Sequence, residues 1–193
     1  MPPSAAILGL LVILEGHMRL TAIAFYQDHD VRPTPSVSRN QQAPADAPPA
    51  TWKLYMKDPY LRESARRIVG EAADWLSFPQ CQLLLSDFAD HGGRHLTGKL
   101  TELGVTATEY LSLIVFEDGA RLAGCSRHGI LAVTSVGSRV IYLCGRDFVR
   151  AAQRAPEEMR AVIIHEMLHS LGLGENPPSS KEITRQVKQR CWR

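Results

Sequence analysis

At 193 residues the chain is long enough for one domain with a substantial core, with room for an appendage. An apolar share of 45% and a charged share of 22% exclude a disordered chain. A net charge of +2 argues against a nucleic-acid binder, which carries a marked basic patch. No internal repeat is visible.

Residues 1–24 read as a signal or leader segment. Ala5 to Leu14 is an apolar run too short to span a bilayer and right for the core of a secretory signal, and Ala22-Ile23-Ala24 offers a small-x-small cleavage pattern. Against this, no Lys or Arg precedes the run, and Glu15, His17 and Arg19 separate it from the cut. A buried helix, or a leader upstream of Met18, is the other reading. No stable membrane span is expected. From Val31 to Ala50 the chain holds five prolines among Ser, Gln and Ala, so 25–50 reads as a linker and the folded domain as 51–193.

Cys81, Cys125, Cys144 and Cys191 form no C-x-x-C pair. Their even number fits two disulfides in a secreted or periplasmic protein; four buried thiols in a cytoplasmic one is the alternative. Of the three possible pairings, Cys125–Cys144 with Cys81–Cys191 is expected, because Cys125 and Cys144 end neighbouring strand-like runs.

Asp58-Pro59 starts a helix, with Asp as N-cap and Pro at the first position. Leu61, Ala65, Ile68, Ala72 and Leu76 form its buried stripe, and Arg62, Glu63, Arg66, Arg67 and Glu71 its wet face. Leu83-Leu84-Leu85 predicts a short buried strand running into Phe88. Leu96, Leu100 and Leu103 predict a helix ending at Gly104. Strand-like runs follow at Leu111–Phe116, Arg121–Cys125, Ile130–Val136 and Arg139–Cys144, with hairpin turns at Glu117-Asp118-Gly119 and Val136-Gly137-Ser138. A further helix begins at Pro156, is apolar nearly all round and stops at Gly172, the natural left-handed terminator. The last helix begins at Ser179-Ser180-Lys181-Glu182, a capping-box pattern, and turns Cys191 inward. Helix, strands, then helices indicate an α+β fold.

The chemistry lies in Ile163–Pro178. His165 and His169 are four apart, on one helix face, and can meet one ion. Glu166, one step round, reaches a water on that ion; zinc brings such a water's pKa towards roughly 7 and Glu166 accepts its proton. A hydrolytic site needs a third protein ligand, and beyond the helix-breaking Gly172 the chain can swing Glu175 back to the metal. The bland alternatives are core histidines and a surface acid in a Gly-rich turn. Buried ionisable groups are costly unless paired or ligating, which favours the metal.

His165-Glu166-Met167-Leu168-His169-Ser170-Leu171-Gly172-Leu173-Gly174-Glu175 resembles the long zinc signature of the metzincin peptidases of the zincin superfamily, H-E-x-x-H-x-x-G-x-x-H, with Glu in place of the last His. The resemblance implies a small domain with a mixed, mostly antiparallel sheet, a covering helix, a buried active-site helix and a C-terminal helix. It implies His165, His169 and Glu175 as zinc ligands, Glu166 as general base, and a protein or peptide as substrate. Metzincins also place a Met in a turn after the third ligand; the last methionine here is Met167, leaving Glu175–Ser180 to support the site. Thermolysin-like enzymes draw a third Glu from a later helix. Glu182 is the only candidate for that and lies close to His169, so Glu175 is preferred.

The expected function is thus a zinc-dependent endopeptidase acting as a monomer, without nucleic acid as partner. Ile130–Val136 is the candidate sheet edge for substrate, and Tyr142 and His128 are weaker candidates to stabilise an oxyanion. Two other readings stand beside it. A zinc endoribonuclease shares a similar ligand spacing but typically lacks a glutamate after the first histidine. A non-catalytic zinc-stabilised binding module would close the metal with a fourth protein ligand.

Overall fold

The helices begin where the sequence caps them. In the computed structural model, which describes residues 51–192, the Asp58 carboxylate accepts from the Tyr60 and Leu61 amides and opens α1 (Pro59–Ser77). The expected leader over 1–24 and linker over 25–50 lie outside the described residues. Leu61, Ala65, Ile68, Ala72 and Leu76 are buried, as their spacing requires. A short strand that periodicity did not reveal, β1 (Lys53–Tyr55), precedes α1.

The Leu83–Phe88 segment is helical through Asp87 instead of extended. Pro79 sits in the first turn of α2 (Pro79–Asp87), and burial of Cys81, Leu84 and Leu85 with Leu83 exposed follows a helical period. The next helix, α3 (Leu96–Leu103), ends as expected at Gly104, which takes the left-handed conformation. The Leu111–Phe116 run divides. Thr106 and Glu109 form a reciprocal capping box that starts α4 (Ala107–Leu113), and the extended part begins only at β2 (Val115–Asp118).

Arg121–Cys125 is no strand either, since a short 3-10 turn occupies Ala123–Ser126. Glu117-Asp118-Gly119 therefore makes no hairpin. The second expected hairpin is present between β3 (Ala132–Thr134) and β4 (Val140–Leu143), with the Ser138 amide bonded to the Ser135 carbonyl across Val136-Gly137. Then come α5 (Gly145–Arg154), α6 (Pro156–Ser170) and α7 (Ser180–Cys191). Only half of the capping-box pattern forms at α7: the Ser179 hydroxyl accepts from the Glu182 amide, while the Glu182 carboxylate turns to Arg185 and Gln186.

The four strands form one mixed sheet in the order β1-β2-β4-β3. Two of its pairings, β1 with β2 and β2 with β4, are parallel, and only β3 with β4 is antiparallel. The α+β expectation holds; a mostly antiparallel sheet does not. Four helices separate β1 from β2 in the chain, and a crossover of that length returns the second strand in the direction of the first.

Helix α6 is the centre of the molecule. It packs on α1, α5 and α7 and beneath β3 and β4, and from Ile163 to Ser170 every residue is buried. Cys81–Cys191 joins α2 to α7, and Cys125–Cys144 joins the 3-10 turn to the end of β4. Both expected pairings are present. Lys188 on α7 also reaches Glu158 on α6 at 2.5 Å. Among the described residues no helix is long and apolar enough to cross a membrane.

Candidate metal centre

His165 and His169 lie one turn apart on α6, and their Nε2 atoms face each other at 2.9 Å. Each ring is held from behind. His165 Nδ1 meets Thr184 Oγ1 of α7 at 2.9 Å, and His169 Nδ1 meets the Leu173 carbonyl at 2.8 Å. That carbonyl can only accept, so His169 carries its proton on Nδ1 and turns a bare Nε2 lone pair inward.

Helix α6 stops so that the chain can fold back. Leu171 and Gly172 follow its last turn, and Gly172 has φ of 114°, a conformation that strains any residue with a side chain. Two residues on, a Cβ at Gly174 would lie 2.4 Å from His91 Cε1, so glycine lets the returning chain pass under that ring without displacing it. The return carries Glu175 to the histidines. Its Oε1 is 3.5 Å from His165 Nε2 and 3.3 Å from His169 Nε2.

One ligand atom from each of His165, His169 and Glu175 lies within 4.8 Å of the others. The histidines are buried and Glu175 is partly exposed. Two imidazole nitrogens, at least one bare, and a carboxylate oxygen facing one point make a donor set that suits a cation, so the cluster can hold a metal ion. Among the described residues no fourth His, Cys, Asp or Glu joins it. Burial and the neighbouring His169 push the His165 ring down to about 4, against the pull of Glu175, so it is neutral and ready to ligate at pH 7.

Glu166 is buried beside the cluster. Burial raises its carboxyl to about 7; a hydrogen bond with Thr134 of β3 opposes the rise, and the charge of Glu175 adds to it. All four residues line a cleft of about 450 Å³ whose other wall is formed by β3 and the 3-10 turn. β3 is an edge of the sheet among the described strands, so the Ile130–Val136 segment holds the edge expected of it.

The other candidates lie elsewhere. Glu182 is engaged by Arg185 and Gln186 on α7, and Arg185 holds its carboxyl below the usual range. Neither Tyr142 nor His128 lines the cleft. Arg127 does, and it is the cleft's one Lys or Arg side chain among the described residues. Thr134, Thr184, the Leu173 carbonyl and Arg127 were not foreseen. No local pattern marks them, because each meets α6 or the cleft through the tertiary fold. No protein-family model matches this chain, and neither a curated protein nor a solved structure does.

Proposed function

We propose that the chain is a zinc-dependent endopeptidase of metzincin-like type, with His165, His169 and Glu175 holding the metal and Glu166 as general base. The observation that carries this reading is the buried Glu166 carboxyl, set beside the His165, His169 and Glu175 cluster in a cleft bordered by β3, an edge strand among the described residues. Three protein ligands leave one tetrahedral position for solvent or substrate, which favours catalysis over a closed structural site.

Zinc bound there supplies Lewis-acid chemistry and a water acidified to near neutrality. The residues of the chain do the rest. Glu166, buried beside the three-residue cluster, would accept at Oε the proton of an attacking water and pass it to the departing amine. Thr134 holds the carboxyl in place from β3. The outer side of β3, which pairs with no other described strand, can pair with an extended peptide and lay its scissile carbonyl across the cleft. Arg127 is the cation available there to face the carbonyl oxygen as charge develops on it. The two disulfides fit an oxidising, secreted or periplasmic setting.

The test offers the zinc-loaded protein an unfolded protein and, separately, a single-stranded RNA, with product ends identified by mass spectrometry. New peptide termini that disappear on chelation are expected. Cleavage of the RNA alone would replace the reading with an endoribonuclease, and cleavage of neither substrate would leave a zinc-stabilised binding module.

A further inference from the structure

A second cleft, also of about 450 Å³, opens on the far side of Val136 from the metal centre, and Val136 lines both. The wall between them is firmly placed. The Gly137 amide of the β3–β4 loop donates to the His169 carbonyl at 2.9 Å, tying the loop to the last turn of α6. Buried Tyr110 donates to the Ser170 carbonyl at 3.0 Å and closes the floor.

The charge in this second cleft is uneven. Arg94, Lys99 and Arg139 line it, with Asp90 as the only acid in its wall among the described residues. Asp90 is consumed by Arg94, whose Nε and Nη2 lie 3.2 and 3.1 Å from its Oδ2. Lys99 and Arg94 also lie near Glu102, at 3.5 and 3.6 Å. Arg139 differs, since no carboxylate pairs with it among the described residues. It lines the cleft together with the Tyr110 floor.

We infer that this cleft is a carboxylate-binding subsite in which Arg139 seats an acidic group of the substrate. The inference rests on the endopeptidase reading and gives it a substrate class: peptides with a carboxylate at a fixed distance from the cleaved bond. Thr134 touches Glu166, and Gly137 lies three residues further along the same segment. The β3–β4 turn at Val136 and Gly137 stands between the two clefts, so a peptide laid along β3 would bring one fixed position, away from that bond, to Arg139. A guanidinium fork matches the two oxygens of a carboxylate, whether from an Asp or Glu side chain or from the chain terminus.

The test uses the full chain as zinc-loaded Glu166→Gln, so that peptides bind without turnover, and reads dissociation constants by fluorescence anisotropy. Labelled peptides carry Glu, Gln or Lys at successive positions around a fixed centre, each with a free or an amidated C-terminus. At one position Glu should bind about tenfold tighter than Gln, the usual gain from a charge-assisted hydrogen bond. If the terminus is the natural source, the free acid gives that gain instead. Adding Arg139→Gln should bring the ratio to about one, and Arg139→Glu should make Lys the preferred residue. Zinc content and thermal midpoint show that each variant is folded. Equal binding of all peptides, or a Glu preference that survives Arg139→Gln, would overturn the subsite and leave the peptidase reading standing. Failure of every peptide to bind would count against both.

Discussion

At the scale of single residues, Glu166 and His165 respond oppositely to burial. The folded chain holds the Glu166 proton more tightly than the unfolded chain, its carboxyl rising from 4.5 to about 7. Its ionisation therefore takes nothing from stability below about pH 4.5, and the penalty grows as pH rises through that window and is complete above 7. His165 moves from 6.5 down to about 4, so the stability it contributes is present above 6.5 and lost as pH falls towards 4. Comparing wild type with Glu166→Gln removes the histidine contribution. In chelator, the variant should gain on the wild type by on the order of 3 kcal/mol between pH 4 and pH 8, read from denaturant midpoints. A constant difference across that range would place Glu166 in water. Glu175→Ala takes one of three donors from the cluster and should weaken zinc binding by at least about a hundredfold in a competition titration with a chromophoric chelator. Full metal occupancy at the wild-type affinity would show that the third ligand lies elsewhere.

At the scale of elements, what was legible in the sequence was what neighbouring residues decide. Asp58, Gly104 and Pro156 mark helix ends through their own backbone chemistry, and α6 shows its burial in the apolar residues around it. Leu83–Leu85 misled because a short apolar run has no period of its own, and Pro79 with the tethered Cys81 settled it as helix. The parallel pairings were hidden because strand direction depends on how α1 to α4 carry the chain from β1 to β2, and on β3 intervening in the chain between β2 and β4. The residues of the candidate metal cluster were legible for a related reason: eleven consecutive residues contain them all. Thr184 was not, since it reaches His165 only through the packing of α7. That packing is held by Cys81–Cys191, which spans 110 residues. Replacing both cysteines by Ala should lower stability by roughly 4 kcal/mol. Because α7 carries Thr184, zinc affinity should fall as well. Thr184→Val alone should lower zinc affinity about tenfold with a much smaller change in thermal midpoint. Equal losses of both quantities in the two variants would mean that Thr184 does not orient the ring.

At the scale of the whole molecule, a mixed sheet and a buried helix meet so that β3, an edge strand among the described residues, borders the cleft that the histidines line. The turn at Gly172 brings Glu175 back to complete the donor set, and the β3–β4 loop divides the space in front of it into two clefts at Val136. The eleven-residue signature contains His165, Glu166, His169 and Glu175, which the fold brings to one cleft, but it gives no sign of the divided cleft or of Arg127 within it. The central claim is that this arrangement is a hydrolytic metal site with Glu166 as its base. Its most direct test compares zinc-loaded wild type with zinc-loaded Glu166→Gln on an unfolded protein substrate, with bound zinc measured in both. The account predicts one zinc per chain in each protein, with the variant slower by at least about a hundredfold, the scale of a lost general base. Wild type that binds no zinc, or a variant that cleaves as fast as wild type, would contradict it.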